Sequence, residues 1–241
     1  MKKINLIALA AASVICVGAP TAAKAGIVGS PHDFSGETWN IVPSDKNSTC
    51  GVCHQPHNAS TNAAPLWIHK TTASVFTMYS TNTVPVSHMK AQVSQLDVVG
   101  GVSLACLSCH DGTVAVNEYA GKVQGGTSVT ITNSANLGTD LTHTHPICFT
   151  YDSSLATADG FLHDPSASVL IPDSGTFNHG ADTSVKGFLL NGGDRMECSS
   201  CHDVHNQKGT PFDINTNPKL VKIVGTQAGK GSLLCRSCHI K

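Results

Sequence analysis

Stretches with a regular apolar period are few along this chain. The longest apolar run, Ile4–Ala19, lies at the N-terminus. Further along, Thr71–Tyr79 and Val86–Gln95 predict short helices, and the alternating stretch Val123–Thr132 predicts a short strand pair. Elsewhere the apolar positions follow neither a helical nor a strand period. The sequence therefore predicts a fold made mostly of irregular coil, with short helices and little β.

The N-terminal run belongs to a segment organised as a secretory signal. Two lysines precede the run, and Ala23-Lys24-Ala25 follows it as an A-x-A cleavage sequence. We expect cleavage before Gly26, so that residues 1–25 form a signal peptide and Cys16 is removed with it. A retained membrane anchor is the alternative, but a spanning helix needs about 20 apolar residues. The sequence therefore predicts a soluble, exported mature chain, 26–241.

The mature chain has little material for an ordinary hydrophobic core. Charged residues make up 13% and aromatic residues 5% of the sequence, whereas a usual charged share is about 25%. Such a chain would not offset its ordering entropy by side-chain burial alone, so another source of apolar bulk is expected. Without the three signal lysines, 12 basic side chains accompany 16 acidic ones. This balance does not point to nucleic acid or an anionic membrane as a partner.

Eight of the nine cysteines outside the signal lie in four C-x-x-C-H motifs. Each motif places two thiols one helical turn apart, where they can add to the two vinyl groups of a haem, and the next imidazole can reach its iron. Disulfides do not require a histidine after each second cysteine, and zinc knuckles distribute their ligands differently. Four covalently attached haems c are therefore predicted. The motifs are Cys50-Cys53-His54, Cys106-Cys109-His110, Cys198-Cys201-His202 and Cys235-Cys238-His239.

A second histidine follows two of these motifs at a spacing of three residues. His57 follows His54 and His205 follows His202, each within C-x-x-C-H-x-x-H-N. Residues three apart on a helix share a face, so the second histidine cannot reach the opposite side of the same haem. It is placed to ligate an adjacent one. A solvent-exposed histidine is the alternative at each position.

The motifs also define an internal repeat. Each C-x-x-C-H-x-x-H-N segment is followed by a plainer motif, and 103–110 matches 232–239. The haems therefore fall into one pair within 50–110 and another within 198–239. A connector rich in Gly, Ser and Thr, 111–197, lies between them, all within one tetrahaem domain. The ninth cysteine, Cys148, lies in this connector and is interpreted as a buried, inert thiol, with an intermolecular disulfide as the alternative.

Nine histidines lie outside the C-x-x-C-H motifs, whereas full bis-histidine ligation needs four. After His57 and His205, the candidates are His145, because Pro146 makes its loop rigid, and His32, in an N-terminal segment with little else to hold it. An extended arm from Cys50 to His32 spans on the order of 60 Å, enough to reach a neighbouring subunit. His143 is an alternative to His145. A surface or core role is the alternative for each, and the remaining histidines are His69, His88, His163 and His179.

Several segments together resemble the tetrahaem cytochromes c of the doubled C-x-x-C-H class, especially the OmcE-type extracellular, filament-forming (nanowire) cytochromes. They are GIVGSPHDFSGE, CGVCHQPHNA, APLW, LSCHDGTVAV, LGTDLTHTHPI and ECSSCHDVHN, and they span nearly the whole mature chain. The resemblance implies a multihaem cytochrome c fold wrapped around four bis-histidine haems, stacked in alternating parallel and T-shaped pairs. It also implies a haem ligated by a histidine from the next subunit. The implied distal ligands are His57, His205, His145 and His32.

The expected function is electron transfer by a non-enzymatic protein, over long range outside the cell as a head-to-tail filament. Upstream redox proteins of the outer membrane or periplasm and a terminal extracellular acceptor are its expected partners. One alternative is a periplasmic electron shuttle. A multihaem reductase of small oxyanions is another, and it would need an open iron position, which the surplus of histidines disfavours.

Overall fold

The computed structural model describes residues 26–40, 48–59, 63–79, 101–167, 183–206, 213, 215, 217–227 and 231–240. The predicted signal peptide and the predicted helix Val86–Gln95 lie outside these residues. The described helices and strands are short, and most of the chain between them is irregular. They are a 3-10 turn (Phe34–Gly36), α1 (Gly101–His110), β1 (Glu118–Tyr119), β2 (Lys122–Val123), β3 (Phe149–Thr150), α2 (Ser153–Asp159), α3 (Val185–Phe188), β4 (Arg195–Met196), α4 (Cys198–Cys201), β5 (Thr226–Gln227), β6 (Gly231–Ser232) and α5 (Leu233–Cys238).

The strands form three antiparallel pairs within the described part of the chain. β1 and β2 are a tight hairpin with Glu118 opposite Val123. Its turn, Ala120-Gly121, has φ of 52° and 78°, as the twist of a two-residue hairpin requires. β3 pairs with β4, which lies in the connector just before the third motif, and β5 pairs with β6 immediately before α5.

Two local predictions are wrong. Val123 does lie in a strand, but its partner is upstream, and after it Gly125 and Gly126 turn the chain with φ of 71° and 80°. No strand pair forms within Val123–Thr132. The segment Thr71–Tyr79 is extended rather than helical, because its backbone bonds to other segments: Thr77 N–H donates to Thr139 O at 2.9 Å. Its many β-branched residues favour this conformation.

Three of the four motifs lie on helices whose ends the local sequence defines. α1 carries the second motif, α4 the third and α5 the fourth. Glu197 precedes α4 and forms a capping box with Ser200, which satisfies amide groups that a helix start leaves without partners. α1 packs against α4, so the second and third motifs are neighbours.

The buried apolar side chains of the described residues form four separate clusters rather than one continuous core. The largest, around Tyr151, Val185 and Phe188, lies in the second half of the chain and packs against Cys238. Smaller clusters surround Tyr119, Leu107 and Trp67. None of the described helices has the length and apolar character needed to cross a bilayer. The mostly irregular architecture with short helices and little sheet agrees with the predicted fold class at this coarse level.

Candidate cofactor-binding site

The four C-x-x-C-H motifs share one local geometry. In three of them the histidine N–H donates to the carbonyl of the first cysteine: His54 to Cys50 at 2.8 Å, His202 to Cys198 at 3.1 Å, and His239 to Cys235 at 2.8 Å. In the second motif both cysteines and His110 lie on α1. Each motif histidine therefore lies at the C-terminal end of the helical turn that carries its two thiols. All nine cysteines of the described residues are free thiols.

Most of the motif thiols lie in surroundings that favour their protonated form. Burial raises the pKa of Cys53 and of Cys238 to about 12, and that of Cys201 to about 11. A nucleophilic thiolate is therefore scarce at these positions at neutral pH.

The motif histidines are oriented by backbone carbonyls. The Nδ1 atoms of His54, His110 and His202 each lie 2.8 Å from a carbonyl oxygen, of Pro65, Ala135 and Lys219 respectively. A carbonyl can only accept, so Nδ1 carries the proton and donates. The lone pair is then on Nε2, the arrangement that metal-ligating histidines use.

Three motif histidines face a second histidine from a distant part of the chain. The ring centroids are 6.1 Å apart for His54 and His205, 6.0 Å for His110 and His32, and 6.3 Å for His239 and His145. With metal–nitrogen bonds of about 2 Å, two imidazoles on opposite sides of one metal have centroids about 6 Å apart. The three pairs fit this spacing, so their residues could hold a bis-histidine haem.

The N-terminal histidine has a motif histidine of its own chain beside it. His32 lies against His110, and contact of its arm with a neighbouring subunit stays a prediction. Burial, and after it the nearby His110, His202 and His205, lowers the pKa of His32 to about 4. Its imidazole is neutral at pH 7, the form that can bind a metal.

Two buried polar atoms of the described residues lack a hydrogen-bond partner, His32 Nδ1 and Trp67 Nε1. Both belong to rings that lie beside a motif histidine. The Trp67 ring is 6.0 Å from that of His54, and the His32 ring is 6.0 Å from that of His110. A buried polar atom without a partner lowers the stability of a fold. The position of these two atoms at the motifs fits a bound group that supplies the missing partners.

The histidine of the third motif, His202, is exposed, and so is His57. Among the described residues neither has an aromatic ring partner, so the structure does not bring His57 to a motif histidine as it does His205. His143 is also exposed, and His163 contributes its backbone N–H to Cys238 O at 2.8 Å. His88 and His179 lie outside the described residues.

His69 is buried in a way that does not suit a ligand. Its side chain is 2% exposed, with Nδ1 2.9 Å from Lys70 O and Nε2 3.0 Å from Ala115 O. Nε2 also lies 3.4 Å from the Cys109 thiol. Both ring nitrogens face protein groups, so His69 fixes the backbone beside the second motif rather than offering a lone pair.

The structure extends the internal repeat beyond what the sequence comparison found. After the first motif, Gln55 N–H donates to Leu66 O, and after the third, Asp203 N–H donates to Leu220 O. Leu66 and Leu220 have the rare positive φ values of 57° and 53°. Pro-Leu at 65–66 and Pro-Lys-Leu at 218–220 are the only sequence trace of this similarity, and the longer second loop separates them from their motif by more residues.

Glu197 joins the second and third motifs from a buried position between them. Its carboxylate accepts hydrogen bonds from Ser103 on α1 and from the Cys148 thiol, the latter at 3.5 Å. Cys198 N–H in turn donates to Ser103 Oγ at 3.1 Å. Cys148 is fully buried, and burial, with Glu197 beside it, raises its pKa to about 12. Sequence reasoning missed Glu197 because a lone acidic residue carries no motif.

No protein-family model matches the chain, and no curated protein sequence matches it.

Proposed function

We propose that this chain is a tetrahaem c-type cytochrome that transfers electrons through closely spaced bis-histidine haems. The observation that carries the proposal is the set of three ring pairs, each joining a C-x-x-C-H histidine to a histidine far away in sequence. A haem iron with two imidazole ligands has no position left for a substrate and favours electron transfer.

The roles of the residues follow from this proposal. The eight motif cysteines hold the four porphyrins by thioether bonds, and His54, His110, His202 and His239 are the proximal ligands. The distal ligand of the first haem is His205, that of the second is His32, and that of the fourth is His145. The haem supplies one-electron exchange when bound, and the protein supplies its position and surroundings.

The spacing of the motifs supports transfer from one haem to the next. The helices α1 and α4 pack together, and Cys198 N–H donates to Ser103 Oγ on α1 at 3.1 Å, which brings the second and third motifs into contact. Cys53 is close enough to Cys109 to raise the pKa of that thiol, after the larger effect of burial. Cys235 similarly contributes to the raised pKa of Cys201. Each motif therefore has another beside it, as a continuous electron path requires.

A head-to-tail filament outside the cell is the setting we favour for this path. Its support is the exposed His202, which has no aromatic ring partner among the described residues and corresponds by the repeat to His54, whose partner is His205. The resemblance implies that one haem takes a ligand from the next subunit, and His57 is exposed and available for that role. An oxyanion reductase is the second candidate, because an unliganded iron at His202 would be open to substrate.

The test is a cofactor count on the protein purified from its native host. Intact mass should show four haems per chain, and electron paramagnetic resonance (EPR) should show low-spin iron throughout. Electron microscopy of the same sample should show filaments. Four low-spin haems on dispersed monomers would favour the periplasmic shuttle, a persistent high-spin haem would favour the reductase, and a chain without haem would refute the proposal.

A further inference from the structure

We propose that residues 26–33 form a positioning strap that holds the distal histidines of two haems at once. The strap bears one of them, His32, and holds the other, His205, through Gly26. This inference rests on the proposed function and adds to it a part of the chain that couples the ligation of the first haem to that of the second.

Gly26 contacts the His205 segment through both of its backbone polar groups. Its nitrogen, which is the α-amino group after the expected cleavage before Gly26, donates to His205 O at 2.9 Å, and its carbonyl accepts from Asn206 Nδ2 at 3.1 Å. The two bonds hold His205 and Asn206, the last two residues of the second C-x-x-C-H-x-x-H-N segment. His205 itself is exposed, so these bonds supply the local support that burial would otherwise give.

The two C-x-x-C-H-x-x-H-N segments differ in whether the strap contacts them. Asn58 and Asn206 close their motifs with the same backbone conformation, φ 59° and 51°. Only the second repeat receives Gly26, and of the two histidines that follow these motifs only His205 faces a motif histidine within the described part of the chain. His57 follows an equivalent motif without that contact, and its ring is not paired within the described part of the chain.

The strap is rigid enough to transmit a displacement from Gly26 to His32. Ser30 N–H donates to Ile27 O at 2.9 Å, and Asp33 N–H donates to Ser30 O at 2.9 Å. The Asp33 carboxylate accepts from Gly29 N–H at 2.7 Å. Ile27 and Ser30 are both buried, at 8% and 7% exposed. A shift at the first residue therefore moves the whole turn that presents His32 to His110.

Only glycine fits at position 26. A Cβ there would lie 2.7 Å from Asn206 Nδ2, 2.8 Å from Asn206 Cβ and 2.9 Å from Asn206 O. Three contacts below 3.0 Å, one of them to backbone, cannot be relieved by rotating a single side chain. Gly26→Ala would therefore separate the strap from the His205 segment while leaving every haem-attaching cysteine in place.

The experiment compares haem-loaded Gly26→Ala with the wild type and with Gly36→Ala, a control in the same segment where a Cβ meets nothing within 4 Å. Gly26→Ala should keep four haems by mass, yet gain high-spin EPR signal and bind carbon monoxide at about a quarter to a half of its haems. Hydrogen exchange should become faster in the peptides that contain residues 26–33 and 202–206. Gly36→Ala should match the wild type in all three.

A milder pair of variants separates this effect from misfolding. Asn206→Ala removes the amide donor to Gly26, and Asn58→Ala makes the same change at the equivalent position of the first repeat. The first should open about a quarter of the haems to carbon monoxide and the second none. If Gly26→Ala and Asn206→Ala both keep wild-type spin state and exchange rates, the strap is refuted while a four-haem wild type still upholds the proposed function.

Discussion

His54 and His205 lie with their rings 6.1 Å apart between centroids and their planes inclined at 27°, although His54 belongs to the first motif and His205 follows the third. Neither half of the chain can therefore complete this site alone. His145 in the connector likewise faces a histidine far away in sequence, His239. Groups bound between these histidines would cross-link the chain and supply the apolar bulk that four small side-chain clusters lack.

Replacement of His205 by alanine should leave the haem count at four and convert one haem to high spin. The imidazole opposite His54 would be lost, whereas the thioether bonds of Cys50 and Cys53 do not depend on it. EPR and carbon monoxide titration measure the change, expected at about a quarter of total haem. His143→Ala is the matched control, because His143 is exposed. A wild-type spectrum for His205→Ala would remove His205 from the ligand set.

Cys148 should be the only thiol that can be alkylated in the haem-loaded mature chain, and only after unfolding. The other eight cysteines would be consumed as thioethers. Cys148 is fully buried, and burial raises its pKa to about 12, so its reactive thiolate is scarce at neutral pH. Alkylation followed by mass spectrometry, with and without denaturant, gives the count. Nine labelled thiols would instead mean that no haem is attached.

The sequence identifies the residues that hold the proposed haems better than it identifies their partners. The C-x-x-C-H motifs can be recognised in the sequence because haem attachment needs a fixed local spacing of residues. The structure shows that spacing at all four motifs. Which distal histidine faces which motif depends on long-range folding: His32 lies against His110, and no local pattern in the sequence indicates that pairing. The extended segment Thr71–Tyr79 was mispredicted because its hydrogen-bond partners, such as Thr139, lie far away in sequence.

Glu197→Ala should destabilise the protein more than a Glu→Ala substitution at an exposed position. The change deletes the capping interaction of α4 and leaves the buried Ser103 hydroxyl and Cys148 thiol without their acceptor. Loss of a cap costs about 1 kcal/mol, and unsatisfied buried groups cost about 1–3 kcal/mol more. Denaturant unfolding followed by circular dichroism measures the difference. Glu37→Ala, an exposed control, should change the free energy of unfolding by less than about 0.5 kcal/mol.

His69→Leu should weaken folding without changing the spin state of any haem. The substitution leaves the carbonyls of Lys70, Ala115 and Val116 facing an apolar side chain, a loss of about 1–3 kcal/mol. Unfolding measures the stability, and EPR measures the spin state. A new high-spin signal would contradict the assignment of His69 as structural rather than ligating.

The same histidine should make stability depend on pH. Burial lowers the pKa of His69 below its ordinary 6.5, so the unfolded chain binds a proton at a higher pH than the folded one. The free energy of unfolding should then fall as the pH decreases below about 6.5. His69→Leu should show a shallower fall when unfolding is compared at pH 7 and pH 5. An unchanged slope would mean that the buried imidazole does not contribute.

His57→Ala should convert the haem of the third motif to high spin and prevent filament formation together. In the repeat His57 corresponds to His205, and His205 faces the motif histidine His54. By the same relation His57 would serve His202. His202 is exposed and has no aromatic ring partner among the described residues. Because the two are not brought together within the chain, the ligand should come from another copy. Dilution of the wild type should then raise the high-spin fraction toward about a quarter of total haem, in step with loss of filaments. His88→Ala and His179→Ala serve as controls, and a dilution-independent low-spin spectrum would place the sixth ligand within the same chain.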